Sequence, residues 1–245
     1  MKKTTAVLCA ALFAANAIAP MNASSAAVSP VISEQRVSAA DTTGYAIQVV
    51  KLVNQERAKK GLKELKLLPK LSSASEIRVK ETARVWDHNR PNGSSFSTVF
   101  NDVGLKWSSI AENIAYGQWD PTSVMNSWMN SDSHRKSILN SDYQYIGVGV
   151  YESNGVIYWE QLFMGSNQSF SDSYTAKEYG DVNSDGKLDA VDASLVLAEY
   201  ANSMSGTGGR FSQLQRAKAD VSFDSVVDAV DASRILSMYA KNSTR

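Results

Sequence analysis

Between Asp181 and Asp192, oxygen-bearing side chains stand at the spacing a hard cation needs. Counting from Asp181, they fall at positions 1 (Asp181), 3 (Asn183), 5 (Asp185), 9 (Asp189) and 12 (Asp192), and Lys187 at position 7 can offer its backbone carbonyl. Gly186 at position 6 permits the sharp turn of such a loop. The ladder is that of an EF-hand-type loop and suits an ion taking about six to eight oxygens, hence Ca²⁺. Position 12 is Asp instead of Glu, and its shorter arm draws the following helix closer. The bland alternative is a solvated acidic turn, which five ligand positions in register plus the glycine make hard to sustain.

The same unit returns 39 residues later. Residues 189–201 read DAVDASLVLAEYA and residues 228–240 read DAVDASRILSMYA, with nine of 13 positions identical, so the segment is a duplication. Asp220, Asp224, Asp228 and Asp231 keep positions 1, 5, 9 and 12. Ser222 at position 3 is a poorer ligand, Val226 supplies the carbonyl, and Ser225 must take the turn that glycine takes in the first copy. A second, weaker Ca²⁺ site is expected. The alternative is a loop that keeps the shape and has lost the ion.

A different polar set lies earlier. The chain has two histidines, His88 in Asp87-His88-Asn89-Arg90-Pro91-Asn92-Gly93 and His134 in Ser131-Asp132-Ser133-His134-Arg135. Glu112 stands between them in Ala111-Glu112-Asn113-Ile114-Ala115. Two imidazoles and a carboxylate in Gly-, Ser- and Asn-rich surroundings are what a shallow polar site would use. By spacing alone, a capping histidine and a solvated Glu explain them equally well.

Bulk composition narrows the class. The 245 residues suit one or two domains, and 43 % apolar content is ordinary for a soluble globular chain. Charge balances at 25 basic against 25 acidic residues, so no nucleic-acid partner is implied. Residues 178–241 nevertheless carry a net charge of −4, which two Ca²⁺ ions would neutralise. At the start, Lys2-Lys3 precedes an apolar run from Val7 to Ala19 that is too short to span a bilayer, so no transmembrane segment is expected. Residues 1–27 read as a signal peptide, with cuts conceivable after Ala19 or near Ala26-Ala27, and 28–43 as a linker. The only cysteine, Cys9, lies in the leader, so no disulfide framework is expected.

These residues need elements to position them. Ile47, Val50 and Leu52-Val53 give a helical period that Gly61 ends. A second helix is expected from about Leu71 to Trp86, burying Ala74, Ile77, Val79, Ala83 and Trp86, and a third over 122–130 after Pro121. Strands follow over 145–151 and 156–163 with Ser153-Asn154-Gly155 as the turn. Helices before a terminal hairpin predict an α+β domain over 44–168, its helices packed on an antiparallel sheet. Residues 169–177 read as a short polar linker that lets two domains move separately. Residues 203–209 break the first helix of the tail, and a middle helix over 211–219 packs Phe211 and Leu214 inward.

The tail, residues 178–241, resembles a type I-like dockerin: two loop–helix copies, with Glu178-Tyr179-Gly180 leaving no room for a helix before the first loop. The resemblance implies a small all-α domain that folds around two Ca²⁺ ions. It also implies that the domain plugs into a cohesin module of a scaffolding protein in a secreted, cellulosome-like assembly. Positions 10 and 11, which dockerins use in choosing partners, carry Ala190-Val191 and Ala229-Val230, so a hydrophobic contact is implied and either copy could face the cohesin. Helix-start packing is the other explanation for these four residues.

Residues 44–165 resemble the CAP superfamily, the SCP-like extracellular domains, in its bacterial form. The resemblance rests on Asn54-Gln55-Glu56-Arg57, His88-x-Arg90-Pro91-x-Gly93, Ala111-Glu112-Asn113-Ile114-Ala115, Trp128-Met129-x-Ser131-x-Ser133-His134-Arg135 and Gly147-Val148-Gly149, in that order. It implies a CAP-type α-β-α sandwich with a cleft holding two His and two acids, in some members around Zn²⁺ or another divalent ion. His88, Glu112 and His134 match three of the four, and Asp102 is the one acid available between the first His and Glu112. Three uses of the cleft compete. One is binding of a small ligand, peptide, lipid or glycan; another is hydrolysis or proteolysis by water activated at His88 or His134 with Glu112, with or without a metal; the last is a structural part of the secreted complex, the site being a relic. For the whole protein, an accessory role in polysaccharide degradation is the further alternative. Binding ranks above hydrolysis, because no nucleophile motif and no glycosidase-like pair of acids is present.

Overall fold

The computed structural model describes residues 39–206 and 208–243; the expected signal peptide and most of the first linker lie outside them. Helix α1 (Ala39–Ala58) begins inside the stretch expected to be linker. There follow β1 (Lys66–Leu67), α2 (Pro69–Arg84), a 3₁₀ turn (Phe96–Thr98), α3 (Val99–Asp102) and β2 (Ser109–Tyr116). The first domain continues through α4 (Pro121–Asn130), α5 (Asp132–Ile138), β3 (Tyr145–Ser153) and β4 (Val156–Gly165). The sheet order is β1-β3-β4-β2, with β1 parallel to β3 and the remaining pairs antiparallel. The β3–β4 turn places Asn154 and Gly155 at φ 53° and 76°, the left-handed pair that a two-residue hairpin needs.

Helices cover both faces, giving the α-β-α layering. On one face α2 approaches so closely that a Cβ on Gly147 would sit 2.3 Å from the Leu71 carbonyl oxygen, and one on Gly149 2.4 Å from that of Ser75. On the other, Tyr45 of α1 stacks on Trp159 of β4 with ring centroids 5.7 Å apart. Strand alternation then sorts the side chains. Glu112, Glu160 and Leu162 point toward α2, whereas Asn113, Trp159, Gln161 and Phe163 point toward α1 and α4.

The buried line of α2 differs from the expected one. Leu71, Ala74, Ser75, Arg78, Val79 and Thr82 are buried, while Ile77 and Trp86 are exposed and the helix ends before Trp86. The apolar pattern misled because polar residues occupy the inward face, where they find buried partners.

Residues 169–177 are not a free tether. Tyr174 is fully buried and exchanges two backbone hydrogen bonds with Leu67, 2.8 and 3.1 Å, capping the exposed edge of the short strand β1. The chain runs on to a second unit built from α6 (Ala190–Met204), α7 (Gln213–Ala219) and α8 (Ala229–Ser243). Its core is Val182, Val196, Val221, Phe223 and Ile235, with Tyr179 donating its hydroxyl to the Val221 carbonyl at 2.7 Å. Phe211 and Leu214 pack partly buried against it. Buried Glu199 ties the break between helices together by accepting from the Arg210 and Phe211 amides and pairing with Arg216.

Candidate functional site

The first site forms where α2, the loop after it and β2 meet. Glu112 comes from β2 with its carboxylate fully buried, one oxygen 2.8 Å from Arg78 Nε and the other 2.6 Å from His88 Nδ1. Arg78, also fully buried, reaches Glu81 at 2.6 Å and donates to the Asp87 and His88 carbonyls at 3.2 and 3.3 Å, so it fixes the loop that carries His88. Glu81 pairs in turn with Arg90, and Arg90 with Asp102. Charges alternate without a gap from Asp102 at the surface to Glu112, whose other oxygen meets His88. Burial works against the Arg78 charge, but Glu112 beside it outweighs this and raises its pKa. Burial would likewise raise Glu81, yet bonds to Arg90 and Arg78 hold it below the usual carboxylate range.

His134 arrives from α5, whose position is pinned by Asn113 Nδ2 donating to the His134 carbonyl at 3.2 Å and to Gln161 Oε1 at 3.0 Å. Its ring is buried, with no partner for Nε2. Burial, and then the nearby His88, push its pKa down to about 4, so at neutral pH it is an uncharged imidazole.

Asp102 serves the surface end of the ion-pair chain. A further acid, Glu160 of β4, lies wholly buried close to Glu112. Burial, and then the charge of Glu112, push its carboxyl well above the ordinary range, favouring the protonated acid. Sequence reasoning missed both Arg78 and Glu160. A signal was present for Glu160, a carboxylate at an inward position of a strand otherwise apolar on that face.

Among the described residues, neither this cleft nor the loops described below present three His, Cys, Asp or Glu groups drawn together as a metal cage. Both oxygens of Glu112 are engaged, one by a guanidinium whose charge opposes a cation at that place.

The two calcium-type loops are backbone-shaped by their own side chains, in parallel fashion. In the first, Asp181 accepts from the Asp185 and Gly186 amides at 3.1 and 3.0 Å, and Asp185 from Lys187 at 2.9 Å. Asp192 accepts from Val182 at 2.9 Å and Asp189 at 3.0 Å. In the second, Asp220 accepts from Ser225 at 3.0 Å, Asp224 from Val226 at 2.9 Å, and Asp231 from Ser222 and Asp228 at 2.9 and 3.0 Å. Asp189 and Asp228 each accept from the amide two residues on, at 2.8 and 2.7 Å, and start α6 and α8. Gly186 takes φ 81° and its counterpart Ser225 takes φ 70°, so the non-glycine residue does adopt the left-handed turn. Asn183 Nδ2 donates to Asp185, and the Ser222 hydroxyl to Asp220. Burial, with Asp231 and Asp224 close by, pushes Asp220 up to about 6. Crowded carboxylates of that kind fit a cation, which would relieve their repulsion. Of the helix-start pairs, Val191 and Val230 are both exposed.

Near the first site lies an aromatic row. Tyr116, Tyr158 and Tyr151 are register partners across β2, β4 and β3 on the face that carries Glu112 and Glu160. Trp86 meets Tyr116 edge-on with centroids 4.6 Å apart, Tyr116 and Tyr158 stack at 5.8 Å, and Trp119 is 66 % exposed.

Residues 50–164 match the family model of the CAP, or cysteine-rich secretory protein, family, and residues 179–238 match that of the dockerin type I domain. The chain is 38 % identical over 125 residues to the uncharacterized protein YkwD of Bacillus subtilis, covering 50 % of this chain and 48 % of that one. It is 29 % identical over 135 residues to the uncharacterized membrane protein YlbC of the same organism, covering 52 % and 38 %. It thus spans about half the length, or less, of the curated relatives it matches. Among solved structures, it is similar to an extracellular SCP-domain protein of Bacillus anthracis, at TM-score 0.47 and 24 % identity over 50 % of this chain and 41 % of that one. It is also similar to a cysteine-rich secretory protein of Staphylococcus aureus, at 0.45 and 26 % over 56 % and 40 %.

Proposed function

The chain carries a CAP domain followed by a type I dockerin domain, and from that premise we propose that it is a secreted component whose tail, loaded with two Ca²⁺ ions, anchors the CAP domain to a cohesin on a scaffolding protein. Type I dockerins bind calcium, and holding a cohesin is their general role. The observation that carries the reading is the parallel hydrogen bonding of the two loops, which aligns donor positions 1, 5, 9 and 12 in each copy. Asp181, Asn183, Asp185, Asp189, Asp192 and the Lys187 carbonyl would hold the first ion. Asp220, Ser222, Asp224, Asp228, Asp231 and the Val226 carbonyl would hold the second, more weakly. Titration calorimetry of the full chain with Ca²⁺ is expected to give two sites of unequal affinity. Asp181→Ala should remove the tighter one, and no heat at all would overturn the reading.

The CAP cleft we read as a binding site and not a hydrolytic one. Glu112 is committed to Arg78 and His88, and His134, its pKa pushed down to about 4 by burial, is a weak base, so neither is poised to activate water. The aromatic row supports a ligand with flat, partly apolar faces, and among lipid, peptide and glycan it favours the glycan, whose ring faces stack on Trp and Tyr. Titration with plant cell-wall oligosaccharides should show binding that Trp86→Ala weakens about tenfold, with the sugars recovered intact. Cleaved products lost in His134→Ala would favour the hydrolase alternative.

A further inference from the structure

The turns of the two duplicated loops meet different surroundings. At the first turn, a Cβ on Gly186 would find nothing within 4 Å, so that turn stands in solvent. At the second, Ser225 Oγ lies 3.1 Å from Ser73 Oγ on α2 of the CAP domain. Ser73 gives its own proton to the Pro69 carbonyl at 3.1 Å, so Ser225 is the donor. Glu76 follows one helical turn along α2, on the same side as Ser73. It is close enough to Asp220 of the loop and to Arg234 of α8 for their charges to act on it. Its other charged neighbour is Lys80, with Nζ 3.8 Å away.

This seat gives two departures of the second copy a physical reason. Ser225 holds a left-handed φ of 70°, which glycine takes without strain in the first copy. Serine there supplies a hydroxyl that reaches α2, and glycine could not. On α8, Arg234 stands where α6 has Leu195. A guanidinium beside the loop opposes a divalent cation, and the carboxylate of Glu76 offsets it. We infer that α2 of the CAP domain completes the second calcium site from outside the tail: Ser73 seats the turn, and Glu76 is a positioning residue, acting through Arg234 and Asp220 and not as a ligand. Calcium in the second loop and the seating of the tail on α2 then favour each other, by the same factor in both directions. The first loop, with its turn in solvent, gains nothing from α2.

The inference rests on the calcium reading above, and one experiment separates the two. The full chain is titrated with Ca²⁺ by calorimetry at pH 8, above the value of about 7 to which burial pushes the Glu76 carboxyl. Asp181→Ala and Asp220→Ala assign the two binding events to their loops. Glu76→Gln is expected to weaken the second site about threefold and Glu76→Lys about tenfold or more, the order that a nearby charge dictates, with the first site unchanged in both. Arg234→Gln added to Glu76→Gln should restore most of the lost affinity, because the opposing charge goes with it. A role confined to packing α2 would show no such rescue. Losses shared equally by the two sites, a second site that Glu76→Lys leaves as tight as in wild type, or no recovery on adding Arg234→Gln would overturn the assignment. A wild-type chain that takes up no Ca²⁺ brings down the calcium reading, and this inference with it. Two sites in wild type that both Glu76 variants leave untouched bring down this inference alone.

Discussion

Arg78 holds more of the CAP site together than either histidine. It is wholly buried and joins Glu112, Glu81 and two loop carbonyls. Removing one member of a buried ionic network leaves its partners charged and unpaired, at a cost of roughly 3–5 kcal/mol. Arg78→Met is therefore expected to lower the urea-unfolding free energy by about that much. Arg78→Lys should recover only part of it, because an ammonium cannot fork between two carboxylates. His134 gives a pH prediction. Its folded pKa, about 4, lies below the unfolded value of 6.5, so the unfolded chain takes the proton first. Stability is complete above pH 6.5 and falls as pH drops from 6.5 toward 4, by on the order of 3 kcal/mol in total. Denaturation midpoints across that window should lose this part of their slope in His134→Gln. His88, Glu112 and His134 were legible by type and motif. Arg78 was not, because one arginine in a helix reads as solvated unless its partners are known.

Among the elements, the closeness of α2 to the sheet sets the geometry of the cleft. Gly147 and Gly149 leave room for the backbone of α2, and an added Cβ at Gly147 would stand 2.3 Å from the Leu71 carbonyl oxygen. Backbone cannot give way as a flexible side chain can. Gly147→Ala should push α2 outward and cost about 1–3 kcal/mol or more, seen as a lower melting temperature, and should loosen the His88 loop, seen as faster hydrogen exchange there. Helix α4 and the β3–β4 hairpin followed their local signals closely: Pro121 at the helix start with the Asp120–Ser123 capping box, and Asn154-Gly155 at the turn. Strand β2 did not announce itself as an element. Nor did the strap at Tyr174, which is a strand edge's need for a partner answered by a segment about a hundred residues away.

At the scale of the molecule, two domains of unequal self-sufficiency share one chain. The tail has a small core, and burial, with Asp231 close by, raises Asp220 to about 6, so the domain should depend on calcium for its fold. Chelation is expected to unfold residues 178–241 and abolish cohesin binding while the CAP domain stays folded. Calorimetry should show two transitions with Ca²⁺ and one with EDTA. Cohesin binding that survives EDTA would contradict this. The strap and the Ser73–Ser225 contact add a second expectation, that the remaining CAP transition shifts slightly downward, because its β1 edge and α2 lose what covers them.

The sequence by itself determined the duplication, the spacing of the carboxylates in each loop and the α+β character of the first domain. All of these are written in short-range spacing, which backbone geometry turns into structure without help from distant residues. Tertiary structure alone decided that Glu160 is buried close to Glu112, that Arg78 binds the cleft together and that the linker pairs with the edge of β1. Each depends on which groups are brought together across tens of residues, and on how burial then changes the charge they can carry.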